Sequence, residues 1–225
     1  MSGLLGGPSN QKLSEPPYLQ VALDTTDLHY ANKVLNQLPD SPKLIIEVGT
    51  PLIKTEGARV ANELKKYTKA RFVVADMKTM DTGKLEANIA FRGGADAASV
   101  SGCANIETID AFIGECKELG IYSVLDCVMV SEPPKFISGL KAMPDIVNLH
   151  RGIDGETNRH HLWGSIMALK KKYPGVLVSV AGGINKETTV EALRWGADII
   201  IVGRYITDSE DPEKTAAELL KLMEK

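Results

Sequence analysis

An eightfold alternation of short apolar runs with longer amphipathic segments constrains the fold more than any other feature. The runs are nearly continuous in apolar and β-branched residues, which is typical of parallel strands covered on their outer face. The eight predicted strands are Leu19 to Asp24, Lys43 to Val48, Arg71 to Asp76, Asp96 to Ser101, Ile121 to Cys127, Asp145 to His150, Val176 to Ala181 and Asp198 to Gly203. Repeated strand–helix units of this kind predict an α/β protein with a parallel sheet.

A helix-period segment follows each strand. The predicted helices are Leu28 to Leu38, Pro51 to Tyr67, Gly83 to Gly94, Asn105 to Gly120, Glu132 to Met143, Trp163 to Lys172, Lys186 to Gly196 and Pro212 to Lys225. Eight even units and a terminal helix favour a single-domain (β/α)₈ TIM barrel over residues 18–225, for which 225 residues is a usual length. An open doubly wound sheet remains the alternative, because alternation alone does not decide closure. Residues 1–17, rich in Gly, Ser and Pro, are predicted as a flexible lead-in.

The overall charge and the cysteines exclude several classes of protein. A net charge of −3 gives no basic surface for nucleic acid or an anionic membrane. Cys103, Cys116 and Cys127 are odd in number and form no C-x-x-C pair, which argues against a disulfide framework and a structural zinc site. Residues 1–10 lack the features of a secretory signal, and no apolar run approaches the roughly 18 residues that span a bilayer. We therefore expect a cytoplasmic protein.

Chemically capable side chains recur where the predicted strands end. The six residues are Asp24, Glu47, Asp76, Lys78, Asp126 and His150. Carboxylates are poor strand formers and costly to bury, and in (β/α)₈ barrels the carboxyl ends of all strands meet around one site. Each acid could instead cap the helix that follows it. The recurrence across several strands favours a common active site.

The acids of strands two and three predict a metal site. Glu47 and Asp76 could supply oxygen ligands to one Mg²⁺, which usually takes one or two carboxylates plus substrate and water. Asp76 and Lys78 lie on the same side of an extended chain, and a lysine held among acids stays protonated and can stabilise an oxyanion. His150 is the candidate for proton transfer. His29, His160 and His161 lie away from the strand ends and are interpreted as surface or packing residues.

The last two strands predict a phosphate site. Gly182 and Gly183 follow strand seven, and Gly203 and Arg204 follow strand eight. Phosphates in these barrels are commonly held by the loops after strands seven and eight, on backbone N–H groups and a helix N-terminus. Glycine allows close approach of the backbone, and Arg204 can add charge-assisted hydrogen bonds.

Several of these segments resemble a known family. Ala75 to Asp81 (ADMKTMD) resembles the D-x-K-x-x-D signature of the orotidine 5′-monophosphate decarboxylase suprafamily. The longer run Ala75 to Asp96 is closer still to the 3-hexulose-6-phosphate synthases, as are Leu19 to Asp24, Glu47 to Gly57 and Ser179 to Ile184. The resemblance extends from about Leu19 to the end of the chain.

Three positions distinguish the branches of this suprafamily. The 3-keto-L-gulonate 6-phosphate decarboxylases typically carry Glu where this chain has Asp126, Arg where it has Ile153, and Thr where it has Ala181. All three residues of this chain resemble the synthase pattern. Arg151 and Arg204 depart from it, since some synthases have a small residue at these positions.

The resemblance implies a Mg²⁺-dependent, reversible aldol condensation of formaldehyde with D-ribulose 5-phosphate through a 1,2-enediolate, which makes the chain an aldehyde-lyase. It implies Glu47 and Asp76 as metal ligands, His150 as the base, and Lys78 and Asp126 as groups that bind and polarise the substrate oxygens. Asp24 would orient a hydroxyl or support Lys78. It also implies a homodimer in which Asp81 reaches the partner's site. The alternatives are a 3-keto-L-gulonate 6-phosphate decarboxylase and a non-catalytic barrel that binds a sugar phosphate.

Overall fold

The computed structural model describes residues 12–70, 72–152 and 161–224. The strands are β1 Tyr18–Leu23, β2 Leu44–Val48, β3 Val73–Thr79, β4 Ala97–Ser101, β5 Tyr122–Asp126, β6 Ile146–His150, β7 Leu177–Ala181 and β8 Ile199–Val202. The helices are α1 Leu28–Leu35, α2 Thr50–Glu56, α3 Val60–Leu64, α4 Gly83–Arg92, α5 Ile106–Leu119, α6 Pro133–Ile137, α7 Trp163–Lys172, α8 Lys186–Arg194, α9 Arg204–Thr207 and α10 Pro212–Met223. All eight predicted strands are confirmed, with ends that differ by a few residues.

The sheet is closed and entirely parallel. The strands pair in the order β1 to β8, and β1 pairs with both β2 and β8. Val21 of β1, for example, lies opposite Ile46 on one side and Val202 on the other. This confirms the single (β/α)₈ barrel and excludes the open sheet that the alternation alone had left possible.

Hydrophobic residues form one layer between the sheet and the helices and another inside the barrel. The outer layer includes Val21 and Ile46, both fully buried. The inner layer closes the amino-terminal end of the barrel, where the rings of Phe72 and Tyr122 meet edge to face at 5.5 Å. With this end filled by side chains, the carboxyl ends of the strands are left to form a cavity.

The predicted lead-in is partly packed where the structure describes it. Leu13 is buried in the inner layer, and its N–H donates to the Tyr122 hydroxyl at 3.1 Å. Residues 1–11 lie outside the described residues, and their flexibility stays a prediction.

Three helical segments differ from the predicted ones, and one of them, Glu132 to Met143, is confirmed as a helix only over Pro133–Ile137. The segment Pro51 to Tyr67 is divided into α2 and α3, because Gly57 between them has a φ of 75°, which lies outside the helical region. The short helix α9, which directly follows β8, was not predicted. None of the helices in the described part of the chain is long and apolar enough to cross a bilayer.

Candidate active site

A cavity of about 1060 Å³ opens at the carboxyl ends of the strands. It brings together nine of the residues predicted from the sequence: Asp24, Glu47, Asp76, Lys78, His150, Gly182, Gly183, Gly203 and Arg204. These residues come from six different strands or the loops that follow them, so their convergence is a product of barrel closure. The alternative that each acid only caps its own helix does not account for this grouping.

Lys78 is held between two carboxylates from different strands. Its Nζ lies 2.7 Å from Asp76 Oδ2 and 2.9 Å from Asp126 Oδ2. Burial acts to lower the pKa of Lys78, but the charges of the two carboxylates and their hydrogen bonds outweigh burial and raise it above the ordinary value. Lys78 is therefore a fixed positive charge at neutral pH, and a third of its side chain remains exposed at the cavity.

Asp126 connects Lys78 with His150. Nδ1 of His150 lies 2.9 Å from Asp126 Oδ2, and Asp126 Oδ1 accepts the N–H of Val128 at 3.0 Å. Burial acts to raise the pKa of Asp126, but His150 and Lys78 hold it below its usual range. An imidazole that donates through Nδ1 accepts through Nε2, so Asp126 orients the ring of His150 as a base. Asp126 is itself only 1% exposed and lies behind Lys78 and His150 rather than on the cavity wall.

Glu47 and Asp24 form the acidic side of the cavity. Glu47 is buried, and its Oε2 accepts a hydrogen bond from Gln20 Nε2 at 2.6 Å. Burial, together with the charges of Asp76 and Asp24, raises the pKa of Glu47 well above its ordinary value. Desolvation and the charge of Asp76 likewise raise the pKa of Asp24, although Lys78, His150 and Arg204 oppose the shift. The ionised carboxylates thus repel one another, and a cation placed among them would relieve the repulsion.

Asp76 is fixed by three neighbours. Its Oδ1 accepts from Ser99 Oγ at 2.7 Å, and its Oδ2 accepts from Thr50 Oγ1 at 2.7 Å as well as from Lys78. Thr50 begins α2, directly after Gly49, and a Cβ on Gly49 would lie 2.3 Å from Asp24 Oδ1. The glycine at 49 therefore lets Asp24 approach the start of α2.

The glycine loops follow β7 and β8, and a Cβ on Gly203 would lie 3.7 Å from Asp24 Oδ2, so these loops adjoin the acidic side. Gly182 and Gly183 both have positive φ, at 93° and 62°, and a Cβ on Gly182 would lie 1.8 Å from the carbonyl oxygen of Arg151. Only glycine can hold this close approach. Gly203 and Arg204 line the same cavity, as the sequence predicted.

Other predictions concern Asp81, Ile153 and the remaining histidines. Asp81 is exposed after β3, where its Oδ1 accepts the N–H of Thr82, and it does not line the cavity of its own chain. Ile153 and His160 lie outside the described residues. His29 is exposed, and His161 stacks on Trp163 with ring centroids 4.2 Å apart, which confirms the interpretation of these two histidines as surface and packing residues.

The sequence analysis missed residues that complete the site. Gln20, Thr50 and Ser99 hold the acids, while Asn148, Asn185 and Tyr205 line the cavity. Gln20, Ser99 and Asn148 could have been found from the sequence, because each is a polar residue inside an otherwise apolar strand.

Comparisons with known proteins identify the family of the chain. The model of the orotidine 5′-phosphate decarboxylase / HUMPS family matches residues 17–219. The chain therefore belongs to this family of barrel proteins.

Individual relatives indicate which members of the family the chain resembles. The bifunctional enzyme Fae/Hps of Methanocella arvoryzae is 47% identical over 217 residues, which cover 95% of this chain and 55% of the relative. A solved 3-hexulose-6-phosphate synthase is 34% identical, with a TM-score of 0.80 and coverage of 92% of this chain and 99% of that one. A 3-keto-L-gulonate-6-phosphate decarboxylase from Vibrio cholerae is 27% identical, with a TM-score of 0.73 and coverage of 92% and 97%. The chain spans about half the length of the bifunctional relatives it matches.

Proposed function

We propose that this chain is a 3-hexulose-6-phosphate synthase, a carbon–carbon lyase that condenses formaldehyde with D-ribulose 5-phosphate. The observation that carries the proposal is the chain of contacts Asp76–Lys78–Asp126–His150, which sets a fixed cation beside an oriented base. A protein that only bound a sugar phosphate would need neither group in this arrangement. The similarity to solved synthases supports the same reaction.

His150 is the base in the proposed mechanism. Its Nε2 removes a proton from C1 of ribulose 5-phosphate, and the electron pair left behind forms the 1,2-enediolate. C1 of the enediolate then attacks the carbon of formaldehyde, the carbonyl group at C2 of the ribulose forms again, and the oxygen of formaldehyde takes the proton held by His150 to become a hydroxyl. Atoms balance without an oxidant or a reductant. Asp126 supports the step because its negative charge stabilises the imidazolium that forms at His150.

Lys78 stabilises the negative charge that develops on the substrate. Its ammonium is fixed before the reaction by Asp76 and Asp126, so little reorganisation is needed as the charge appears. The resemblance gave Asp126 a direct role in binding substrate oxygens. Its burial behind Lys78 and His150 favours a role in orienting these two residues instead. Asp24, which opens to the cavity, is proposed to orient a substrate hydroxyl.

The donor set fits Mg²⁺. Glu47 and Asp76 offer hard oxygen ligands, and burial together with the charges of Asp76 and Asp24 raises the pKa of Glu47, an effect that a bound cation would counteract. Among the described residues, no three Asp, Glu, His or Cys side chains form an all-protein metal site, so substrate and water would complete the coordination. When bound, Mg²⁺ would supply positive charge for the anion that forms when the ketose loses its C1 proton.

We propose that the phosphate binds at the side of the cavity formed by the loops after β7 and β8. Backbone N–H groups around Gly182, Gly183 and Gly203 and the guanidinium of Arg204 surround that side. A sugar phosphate anchored there would extend its C1 and C2 toward His150 and Lys78.

The chain is also proposed to act as a homodimer in which Asp81 enters the partner's site. Asp81 is exposed, and close to it along the chain lie Met80, Leu85 and Ile89, with exposures of 52%, 59% and 41%. Apolar side chains grouped in this way are typical of an interface. Mixing Asp81→Ala with Lys78→Ala protein should restore activity if the site is shared, because one of the two sites in a mixed dimer then carries both native residues. Lack of restoration in verified mixed dimers would contradict the shared site.

The substrates and the unpaired thiols are consistent with the cytoplasm, which stays the proposed location. Cys103, Cys116 and Cys127 are all free, and burial raises the pKa of Cys116 and Cys127, as expected for inert thiols.

The test is a comparison of two substrates. Purified protein with Mg²⁺ is given either ribulose 5-phosphate and formaldehyde or 3-keto-L-gulonate 6-phosphate, and formaldehyde loss and CO₂ release are measured. Formaldehyde loss with formation of D-arabino-3-hexulose 6-phosphate supports the proposal. Release of CO₂ alone would favour the decarboxylase, and binding of ribulose 5-phosphate with no turnover of either substrate would favour a non-catalytic barrel.

A further inference from the structure

The pairing of β3 with β4 is interrupted beside the active site. Ala75 lies opposite Ala98, but the next pair is Thr79 with Val100, so β3 advances by four residues where β4 advances by two. The extra length bulges out of the sheet. It contains Lys78, whose φ of 44° lies in the left-handed region that is unfavourable for a residue with a long side chain.

Ser99 occupies the gap that the bulge leaves in the ladder. Its Oγ accepts the backbone N–H of Lys78 at 2.9 Å and donates to Asp76 Oδ1 at 2.7 Å. One hydroxyl therefore replaces a ladder carbonyl for Lys78 and at the same time fixes the carboxylate that binds the Lys78 ammonium. Ser99 is 3% exposed, so water has little access to take its place.

We propose that Ser99 is a positioning residue of the active site, which holds the left-handed bulge at Lys78 and thereby sets the ammonium between Asp76 and Asp126. The effect on turnover rests on the proposed function. The effect on the bulge does not, because it depends only on the two hydrogen bonds of Ser99. Without the hydroxyl, the partly buried N–H of Lys78 loses its acceptor and Asp76 loses one of its donors, so two hydrogen bonds that stabilise the strained conformation are lost.

The other end of the barrel offers a matched control. Ser123 of β5 is also fully buried, and its Oγ donates to Asp145 Oδ2 at 2.7 Å, the same length as the bond from Ser99 to Asp76. Ser123→Ala removes the same atom from a serine–aspartate pair that lies at the start of its strand, away from the cavity. Both substitutions should lower the melting temperature to a similar extent.

The experiment measures kcat, and KM for ribulose 5-phosphate, in Ser99→Ala, Ser99→Cys and Ser123→Ala. We expect Ser99→Ala to lower kcat by about 10- to 100-fold with KM changed less than about threefold, since the reacting groups are displaced and the phosphate site is intact. Ser99→Cys keeps a side chain of similar size with a weaker donor and acceptor, and its kcat should lie between the values of the wild type and of Ser99→Ala. Ser123→Ala should keep kcat within about twofold. Equal losses of kcat in Ser99→Ala and Ser123→Ala would overturn the proposal.

A crystal structure of Ser99→Ala tests the same inference without any assay. The expected result is that Lys78 leaves the left-handed region and its Nζ loses contact with Asp126. An unchanged bulge, with Nζ still bonded to both carboxylates, would overturn the inference even for an active enzyme. Conversely, an inert wild-type protein would contradict the proposed function, and the structure of the variant would still decide the role of Ser99.

Discussion

Buried aspartates stand at both ends of this barrel, and they are used in opposite ways. At the amino-terminal end, Asp96 lies 2.9 Å from Lys65 Nζ and also accepts the N–H of Val73. Asp198 repeats the arrangement, with Lys170 and the N–H of Val178 as its partners. Each of these two carboxylates has its own lysine and ties the start of one strand to the preceding strand.

The carboxyl-terminal end has more acids than cations. Asp76 and Asp126 share Lys78, while Asp24 and Glu47 have raised pKa values because of burial and of neighbouring acids. An aspartate or glutamate thus stabilises the fold where a neighbouring lysine matches its charge. Where its charge is not matched, the carboxylate is available for chemistry. Separate measurements of activity and stability test this distinction.

The largest expected effect is on turnover at the carboxyl-terminal end. Lys78→Met should lower kcat by about 10³-fold or more, because it removes the fixed positive charge next to the reacting atoms. Lys65→Met, the same change in a lysine that pairs with Asp96, should leave kcat within about twofold. Steady-state kinetics at saturating ribulose 5-phosphate checks both. Comparable losses in the two variants would show that the two ends do not differ in the way described.

The next effect is on stability at the amino-terminal end. Asp198→Ala should lower the free energy of unfolding by about 2–4 kcal/mol, since it leaves the N–H of Val178 without its acceptor and Lys170 without its partner. Urea unfolding followed by circular dichroism measures the loss. Asp24→Ala serves as the counterpart in the cavity, and it should be no less stable than the wild type because the raised pKa of Asp24 marks an unfavourable charge. A loss of unfolding free energy in Asp24→Ala as large as in Asp198→Ala would contradict the difference between the two ends.

The smallest effect is a gain in stability from a change that destroys the proposed metal site. The folded-state pKa of Glu47 lies above its ordinary value of 4.5, so the unfolded chain releases this proton at lower pH than the folded protein does. Stability is therefore lost as the pH rises from about 4.5 through the raised pKa. Glu47→Gln should be more stable than the metal-free wild type by about 0.5–2 kcal/mol at pH 7–8, and equally stable below pH 4.5. Unfolding curves in EDTA across this range check the sign, and a wild type more stable than the variant at pH 8 would contradict it.

The sequence predicted what depends on local pattern. Strand positions follow from apolar runs, and Asp76, Lys78, Asp126 and His150 could be grouped because barrel closure brings strand ends together. The bulge in β3 could not be predicted, since it depends on the pairing of Lys78 with Ser99, which lies 21 residues away in the chain. For the same reason, the acids that begin strands four and eight were visible in the sequence, but their partners Lys65 and Lys170 were not.

Proton exchange at C1 of ribulose 5-phosphate in D₂O, without formaldehyde, tests directly whether His150 is the base. Proton NMR should show Mg²⁺-dependent loss of the C1 signal with wild-type protein, and exchange slowed by about 10²-fold or more in His150→Gln. The matched variant His29→Gln should exchange at the wild-type rate, because His29 is exposed on α1 and does not line the active-site cavity. Exchange that continues unchanged in His150→Gln, or that is absent from an active wild-type enzyme, would contradict the account.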